Sequence, residues 1–145
     1  MWKNYIQSIA PEHIFHPPAN RSRIEAVQNE FNISLPEALI QFYQESNGVE
    51  EPFGFHLIWP IEKLRDENQF FRTNLTYREL FMPFDHLLFF SDAGNGDLFA
   101  FAISGNNVIE REEIYVWNHE DDSRSWIAPN LKVFLKRWTN GDISV

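Results

Sequence analysis

The residues of this chain whose types could support chemistry lie mainly in two polar stretches. The first is DAGNGD, residues 92–97, in which two aspartates flank two glycines between runs of phenylalanine. The second is HEDD, residues 119–122, which follows the segment IYVWN. Aspartates near glycines can form a calcium loop, and a histidine beside carboxylates can bind a metal or transfer protons. Residue spacing decides between these possibilities.

The spacing within residues 92–97 does not fit a calcium or nucleotide site. In an EF-hand loop starting at Asp92, Gly94 and Gly96 would stand at ligand positions, and the terminal glutamate would be missing. The two glycines also lack the third glycine of a dinucleotide-binding loop, because Phe99 holds that position. The pattern is typical of a hairpin turn, in which the glycines adopt positive φ and Asp92 and Asp97 accept hydrogen bonds from turn amides. We therefore predict a hairpin between two strands.

The histidines do not complete a known metal or hydrolase motif. HEDD is not the H-E-x-x-H sequence of zinc proteases, and we expect a solvated acidic loop there. His13 and His16 have a spacing of three residues but lie between prolines, which favours a turn. Four side chains would form a small acid-base or metal hydrolase if the fold brought them together: His86, Asp92, Asp97 and His119. This arrangement is an alternative hypothesis; we expect no enzyme activity, no cofactor and no bound metal.

Acidic residues close to tryptophans point instead to protein binding. Trp59 follows EEPFGFHLI and Trp117 precedes NHEDD. Large aromatic rings beside charges are frequent anchors of protein interfaces. If EEIYVW and HEDD lay beside the hairpin, their acids would form one negative rim around an aromatic centre. The predicted partner-binding residues are Trp59, Asp92, Asp97, Glu112, Glu113, Trp117, His119, Glu120, Asp121 and Asp122.

Composition indicates an acidic cytoplasmic protein. The 145 residues include 21 acidic and 12 basic side chains, which gives a net charge of -9. Phosphate contacts need clustered lysine and arginine, so we expect no nucleic-acid binding and favour a basic protein as partner. Cysteine is absent, which excludes disulfides and thiolate sites. No secretion signal opens the sequence, and no apolar run reaches the roughly 20 residues that cross a bilayer. We expect a monomer with no membrane attachment.

The apolar periodicity predicts one domain over residues 1–145 with an α+β fold. N-terminal helices come first, a central mainly antiparallel sheet follows, and a C-terminal helix packs on it. Ser22 with Glu25 and Ser34 with Glu37 have the spacing of helix capping boxes. The predicted elements are helices over 2–9, from 20 and from 36, a strand over 53–59, a helix from 60, strands over 86–91, 97–103 and 112–118, and a helix within 128–138.

The order of these motifs resembles the SUKH superfamily of Smi/Knr-like proteins. IEAVQNEFNISLPEALIQFYQESNGVE is similar to the opening of that family, in which a helix leads into an L-P-x-x-x-x-x-F/Y helix that ends in N-G. IWPIEKL, FMPFDHLLFFSDAGNGDLFAF, IYVWNHEDDS and APNLKVFLKRW then follow in family order, from about residue 20 to residue 138. Asn95 stands in the hairpin where the family often has glycine.

The resemblance implies binding rather than catalysis. Bacterial members look like immunity proteins that neutralise polymorphic toxins, many of them nucleases, by direct contact in the producing cell. Our leading hypothesis is therefore an immunity protein for a cognate basic toxin, with a nuclease as the expected class. A compact domain with a charge of -9 could block the cationic cleft in which a nuclease binds phosphate. Fungal relatives are associated with the regulation of cell-wall synthesis, so the alternative is a regulatory scaffold or peptide-binding module with an endogenous partner.

Overall fold

Six helices and seven strands form a mixed α+β fold in the computed structural model, which describes residues 1–145. The strands make two antiparallel sheets, one ordered β1-β2-β3 and the other β4-β5-β6-β7. This confirms the predicted fold class and the C-terminal helix. The elements are α1 (Trp2–Ile9), β1 (Ile14–Phe15), α2 (Arg21–Phe31), α3 (Glu37–Glu45), β2 (Val49–Glu50), β3 (His56–Ile58), α4 (Ile61–Thr73), α5 (Leu75–Leu80), β4 (Leu87–Asp92), β5 (Leu98–Ala102), β6 (Ile114–Trp117), β7 (Arg124–Ala128) and α6 (Leu131–Thr139).

Free main-chain N–H groups at the N-termini of α2 and α3 donate to side chains that are not part of the predicted capping boxes. Asn20 precedes α2, and its side-chain oxygen accepts the N–H of Ser22 at 2.9 Å. The start of α3 has no cap of its own, but the carboxylate of Glu112 accepts the N–H of Ala38 at 3.2 Å. The capping boxes expected at Ser22 and Ser34 are therefore wrong, because an asparagine two residues earlier and a carboxylate from a distant loop satisfy these donors.

A bulge in β4 joins the two sheets. The register between β4 and β5 shifts between Phe89 and Ser91, which leaves Phe90 without a partner in β5. The carbonyl of Phe90 accepts the N–H of Trp59, which follows β3, at 2.9 Å. The Ser91 hydroxyl donates to the carbonyl of Leu57 in β3 at 2.6 Å. Because the bulge turns β4 toward β3, the loops before β3 and after β4 lie at the same end of the fold.

Aromatic side chains fill both faces of the four-stranded sheet. Four rings surround Trp117 at centroid distances of 5.2 to 5.9 Å: Phe71, Phe81, Phe84 and Phe89. On the opposite face, Phe99 packs against Phe134 of α6 at 4.7 Å. Both faces of the sheet are thus covered by rings from the helices and from the segment that precedes β4. This packing fixes the strands whose ends carry the polar loops.

Several elements differ from the sequence-based expectation. The strand predicted over 53–59 forms only at His56–Ile58, because Gly54 has φ +93° and ends the extended alternation. Helix α5, strand β7 and the two-residue strands β1 and β2 were not predicted. Helix α5 buries none of its residues, and β7 is an edge strand that exposes Ser125 and Trp126, so neither carries a clear apolar period. No helix combines the length and the apolar character that crossing a bilayer requires.

Candidate functional site

Three loops meet at one end of the sheets and form a surface that we call the loop rim. It consists of residues 51–55 between β2 and β3, 93–97 between β4 and β5, and 118–123 between β6 and β7. A β-carbon at Gly94 would lie 3.7 Å from the ring of Phe55, and one at Gly96 would lie 3.0 Å from the ring of His119. The hairpin is therefore held between the other two loops. Both glycines have positive φ, at +88° and +103°, which suits residues without a side chain.

The hairpin orients His119 through a buried carboxylate. Asp97 is 3% exposed, and its Oδ1 accepts the main-chain N–H of His119 at 3.1 Å. The same oxygen lies 2.6 Å from Nδ1 of the imidazole. An ionised Asp97 therefore fixes Nδ1 as a donor and leaves Nε2 toward solvent, where it has no hydrogen-bond partner. The pair resembles the oriented base of a hydrolase, but no nucleophilic side chain is hydrogen-bonded to it.

The predicted hairpin is confirmed, whereas the predicted role of its two aspartates is wrong. Strands β4 and β5 pair from Leu87 with Ala102 to Asp92 with Leu98. The turn amide of Asp97 is satisfied by the side-chain oxygen of Asn95 at 3.0 Å, not by an aspartate. The carboxylates of Asp92 and Asp97 instead reach outside the hairpin, toward the segments that follow β3 and β6. Asp97 thereby joins two loops of the rim, and Asp92 connects β4 to the residue that follows β3.

The two tryptophans expected at the surface are buried. Trp59 and Trp117 are 1% and 2% exposed. Each indole N–H donates to a carboxylate, Trp59 to Asp92 at 2.9 Å and Trp117 to Asp122 at 2.7 Å. The expectation that these rings form an exposed aromatic centre is therefore wrong. Their apolar bodies complete the core, while their N–H groups position carboxylates near the loop rim.

Asp122 holds the loop between β6 and β7 from inside. It has φ +62°, and its carboxylate accepts hydrogen bonds from Met82 N–H at 2.9 Å, Trp117 Nε1 at 2.7 Å and Arg124 Nη2 at 2.8 Å. Arg124 is only 8% exposed and its guanidinium lies 4.6 Å from the centroid of Phe84. Partial burial raises the pKa of Asp122, but the hydrogen bonds from Met82, Arg124 and Trp117 outweigh that effect and hold the pKa below its ordinary value. The negatively charged carboxylate of Asp122 therefore has a structural role, which is to hold this loop against Met82, Trp117 and Arg124.

The two acidic runs expected to form one rim lie at opposite ends of β6. Glu120 and Asp121 are exposed on the loop that follows the strand. Glu112 and Glu113 precede the strand, where Glu112 reaches the start of α3 and Glu113 lies 3.9 Å from Arg111. The length of the strand therefore separates the two runs, and of their exposed carboxylates only those of Glu120 and Asp121 lie on the loop rim.

Two exposed phenylalanines on the loop rim were not predicted from the sequence. Phe53 is 90% exposed and Phe55 is 49% exposed. The alternation of FGFHLIW suggested a strand with one buried face, which would have covered both rings. The signal against a strand was the pair Pro52 and Gly54 on either side of Phe53, since both residues favour turns. The aromatic component of the loop rim therefore comes from these two rings rather than from the tryptophans.

The four side chains of the hydrolase hypothesis do not converge. Asp97 and His119 form a pair, but Asp92 is hydrogen-bonded to the indole of Trp59. His86 lies elsewhere, with Nε2 2.9 Å from Nη1 of Arg124. Partial burial lowers the pKa of His86, and the positive charge of Arg124 lowers it further.

Histidines also gather near β2, outside the loop rim. The Nε2 atoms of His16 and His56 lie 3.0 and 3.3 Å from the same oxygen of Glu50. His13, which the sequence paired with His16, has no hydrogen bond at either ring nitrogen. No group of three or more histidine, cysteine, aspartate or glutamate side chains has a geometry that could hold a metal ion.

Comparison with known proteins places this loop arrangement in a family. No curated protein sequence gives a match to the chain. The model of the SMI1 / KNR4 family (SUKH-1) matches residues 18–137, which include the whole loop rim and every element from α2 to α6 except the last residues of that helix. This agrees with the resemblance carried by the ordered motifs. The chain therefore belongs to the SMI1/KNR4 family (SUKH-1).

Proposed function

We propose that this protein is an immunity protein that binds a cognate basic toxin and neutralises it by direct contact. The toxin class that we expect is a nuclease. The observation that carries the proposal is the net charge of -9 on a domain of 145 residues. A nuclease domain needs a cationic cleft for the phosphates of its substrate. A negatively charged protein is attracted to such a cleft over distances comparable to the Debye length, about 8 Å at physiological ionic strength.

The charges of the loop rim support this proposal. Glu120 and Asp121 are exposed there, and neither side chain is in an ion pair. The cations that contact carboxylates nearby are already engaged. Lys63 lies 3.8 Å from Asp92 and over the ring of Trp59, and Arg124 is buried against Asp122. The exposed carboxylates of this loop are therefore free to face a positively charged partner.

A pair of matched charge variants tests whether the loop rim steers association. Changing Glu120 to lysine and Asp121 to asparagine removes two negative charges from the rim and adds one positive charge, so the net charge rises by three. The asparagine retains an acceptor for the turn amide of Ser123. The control changes Glu110 to lysine and Glu113 to glutamine, which alters the net charge equally at the far end of β6.

The measurement is the association rate with the toxin domain at low and high salt. We expect the rim variant to associate about tenfold more slowly at low salt, because exposed interfacial charges act mainly on the on-rate. The control should change much less, and high salt should remove the difference. Equal slowing by both variants would show that the overall charge, and not the loop rim, steers the encounter.

The proposal itself is tested by co-expression with a toxin domain taken from the genes that neighbour this one. We expect the toxin domain alone to arrest growth, and this chain to restore growth and to copurify with the toxin as a stable complex. The control is an unrelated folded protein of equal net charge, which should not restore growth. A folded chain that leaves growth arrested would overturn the proposal. Stable binding to a cellular protein without any effect on toxicity would favour the regulatory scaffold.

A further inference from the structure

We propose that a groove beside Phe53 is the contact point of the loop rim and that it accepts an arginine or lysine side chain from a basic partner protein. This inference deepens the proposed function and rests on it for the identity of the partner. The groove has a volume of about 510 Å³ and lies between the loop at residues 51–55, the turn before β1 and the end of α6.

The first support is the way in which the loop presents Phe53. The ring is 90% exposed, although phenylalanine is normally among the most buried residue types. Two main-chain hydrogen bonds close the loop around it, from Glu51 N–H to the Phe55 carbonyl at 2.7 Å and from Gly54 N–H to the Glu51 carbonyl at 3.0 Å. The loop is further supported by the contact between Phe55 and Gly94. Phe53 is therefore held outward by a closed turn, so a partner would not have to order it on binding.

The second support is the chemistry of the groove walls. Phe53 and Trp138 supply two aromatic rings, and Glu12 and Glu51 supply two carboxylates. Neither carboxylate forms an ion pair or a side-chain hydrogen bond within the chain. Arginine and lysine match this combination, because their aliphatic stems pack along aromatic surfaces while their charged ends pair with carboxylates or lie over a ring.

Charge complementarity selects a basic protein over other occupants. An acidic or neutral segment would leave Glu12 and Glu51 facing apolar surface or like charge. A second copy of this chain would bring two molecules of charge -9 together at an acidic surface. A basic partner instead satisfies both carboxylates and covers the exposed ring. Glu120 and Asp121, on the loop at the other side of the hairpin, are further negative charges of the loop rim that attract the same partner.

The first test uses a defined probe, a short oligoarginine peptide, at physiological ionic strength. Binding is measured with the wild-type chain and with Phe53→Ser, and the contacted residues are mapped from backbone amide shifts in NMR spectra. Leu75→Ser is the matched control, because Leu75 is 73% exposed on α5, outside the loop rim. We expect Phe53→Ser to weaken binding roughly fivefold or more and Leu75→Ser less than about twofold. Shifts should concentrate on the residues that line the groove, in the turn before β1, the loop at residues 51–55 and the end of α6. Both variants should unfold at the wild-type temperature.

Several results would overturn the inference. These are the absence of peptide binding, equal binding by Phe53→Ser, and amide shifts confined to residues that do not line the groove. Measuring the affinity of the same variants for the toxin distinguishes a failure of this inference from a failure of the proposed function. If the wild-type chain neutralises the toxin and Phe53→Ser does so with unchanged affinity, the groove is not the contact point, but the proposed function is still supported. If the chain binds the peptide through Phe53 but does not bind the toxin, the groove binds basic side chains as proposed and the proposed function is wrong.

Discussion

Replacing Asp122 with alanine should destabilise the protein strongly, although this residue lies in a surface loop. The carboxylate is the only anionic partner of Arg124, whose side chain is 8% exposed, and it also accepts the indole N–H of Trp117 and the amide of Met82. Alanine would leave a buried guanidinium and two further donors with fewer partners. Residue 122 also has a left-handed backbone with φ +62°, which aspartate tolerates better than alanine does.

The magnitude follows from these contacts. Removing one member of a buried ion pair costs about 3 to 5 kcal/mol. We take the lower end, about 3 kcal/mol, because Arg124 keeps hydrogen bonds to the carbonyls of Met82 and Pro83. The left-handed backbone at residue 122 adds about 1 kcal/mol. The expected loss of about 4 kcal/mol is a large part of the 5 to 15 kcal/mol that stabilises a typical domain. The melting temperature should fall by roughly 10 °C.

Urea unfolding followed by tryptophan fluorescence measures this loss, since the midpoint should fall at an unchanged slope. Asp122→Asn should lose about half as much, because asparagine tolerates the same backbone and keeps one acceptor oxygen. Glu120→Ala is the control: this exposed neighbour has no side-chain hydrogen bond and should stay within about 0.5 kcal/mol of wild type. A loss below about 1 kcal/mol for Asp122→Ala would refute the structural role assigned to the carboxylate.

The same comparison predicts a pH dependence. The pKa of Asp122 is lowered in the folded protein, so its stabilising effect is fully present above the unfolded value, about 3.9. The effect is lost as the pH falls through the lower folded pKa. The stability gap between wild type and Asp122→Asn should therefore be constant from pH 7 to 5 and shrink below about pH 4. A gap that is equally large at pH 3 would contradict the assignment.

Three further substitutions test other contacts, each by thermal or urea unfolding. Gly96→Ala should destabilise the fold by about 2 kcal/mol, because φ is +103° and the new methyl group would lie 3.0 Å from the ring of His119; wild-type stability would contradict this contact. His13→Leu should leave the stability unchanged or raise it, because both imidazole nitrogens are buried without hydrogen bonds. A clear loss of stability would show that the imidazole makes a favourable polar contact. Tyr43→Phe should cost about 1 kcal/mol, because the hydroxyl donates to the Trp59 carbonyl at 2.6 Å; an unchanged midpoint would show that this bond adds nothing.

The elements predicted correctly from the sequence are those in which local pattern and tertiary burial agree. Helix α6 places Leu131, Phe134 and Leu135 on one buried face, and α1 starts and ends where its apolar period predicts. The hairpin between β4 and β5 combines buried strands with glycines that need positive φ. In such segments the side chains that form the core are also the ones that set the period, so the sequence contains the necessary information.

The surface could not be predicted in the same way. Trp117 and Phe53 both lie beside acidic residues in the sequence, yet one is 2% and the other 90% exposed. The difference depends on rings from α4 and from the segment before β4 that enclose Trp117, and on a turn at Gly54 that directs Phe53 outward. The role of Asp122 likewise depends on the distant Met82 amide. These are long-range contacts, and local patterns do not specify them.

Inhibition of the purified toxin domain by this protein tests the central claim most directly. The toxin's activity is measured while the chain is titrated in at concentrations well above the dissociation constant. If the protein neutralises the toxin by direct contact through the loop rim, activity should fall linearly to zero at a fixed stoichiometric ratio. A peptide that occupies the groove beside Phe53 should restore the activity. Full activity in a large molar excess of folded protein would contradict the account.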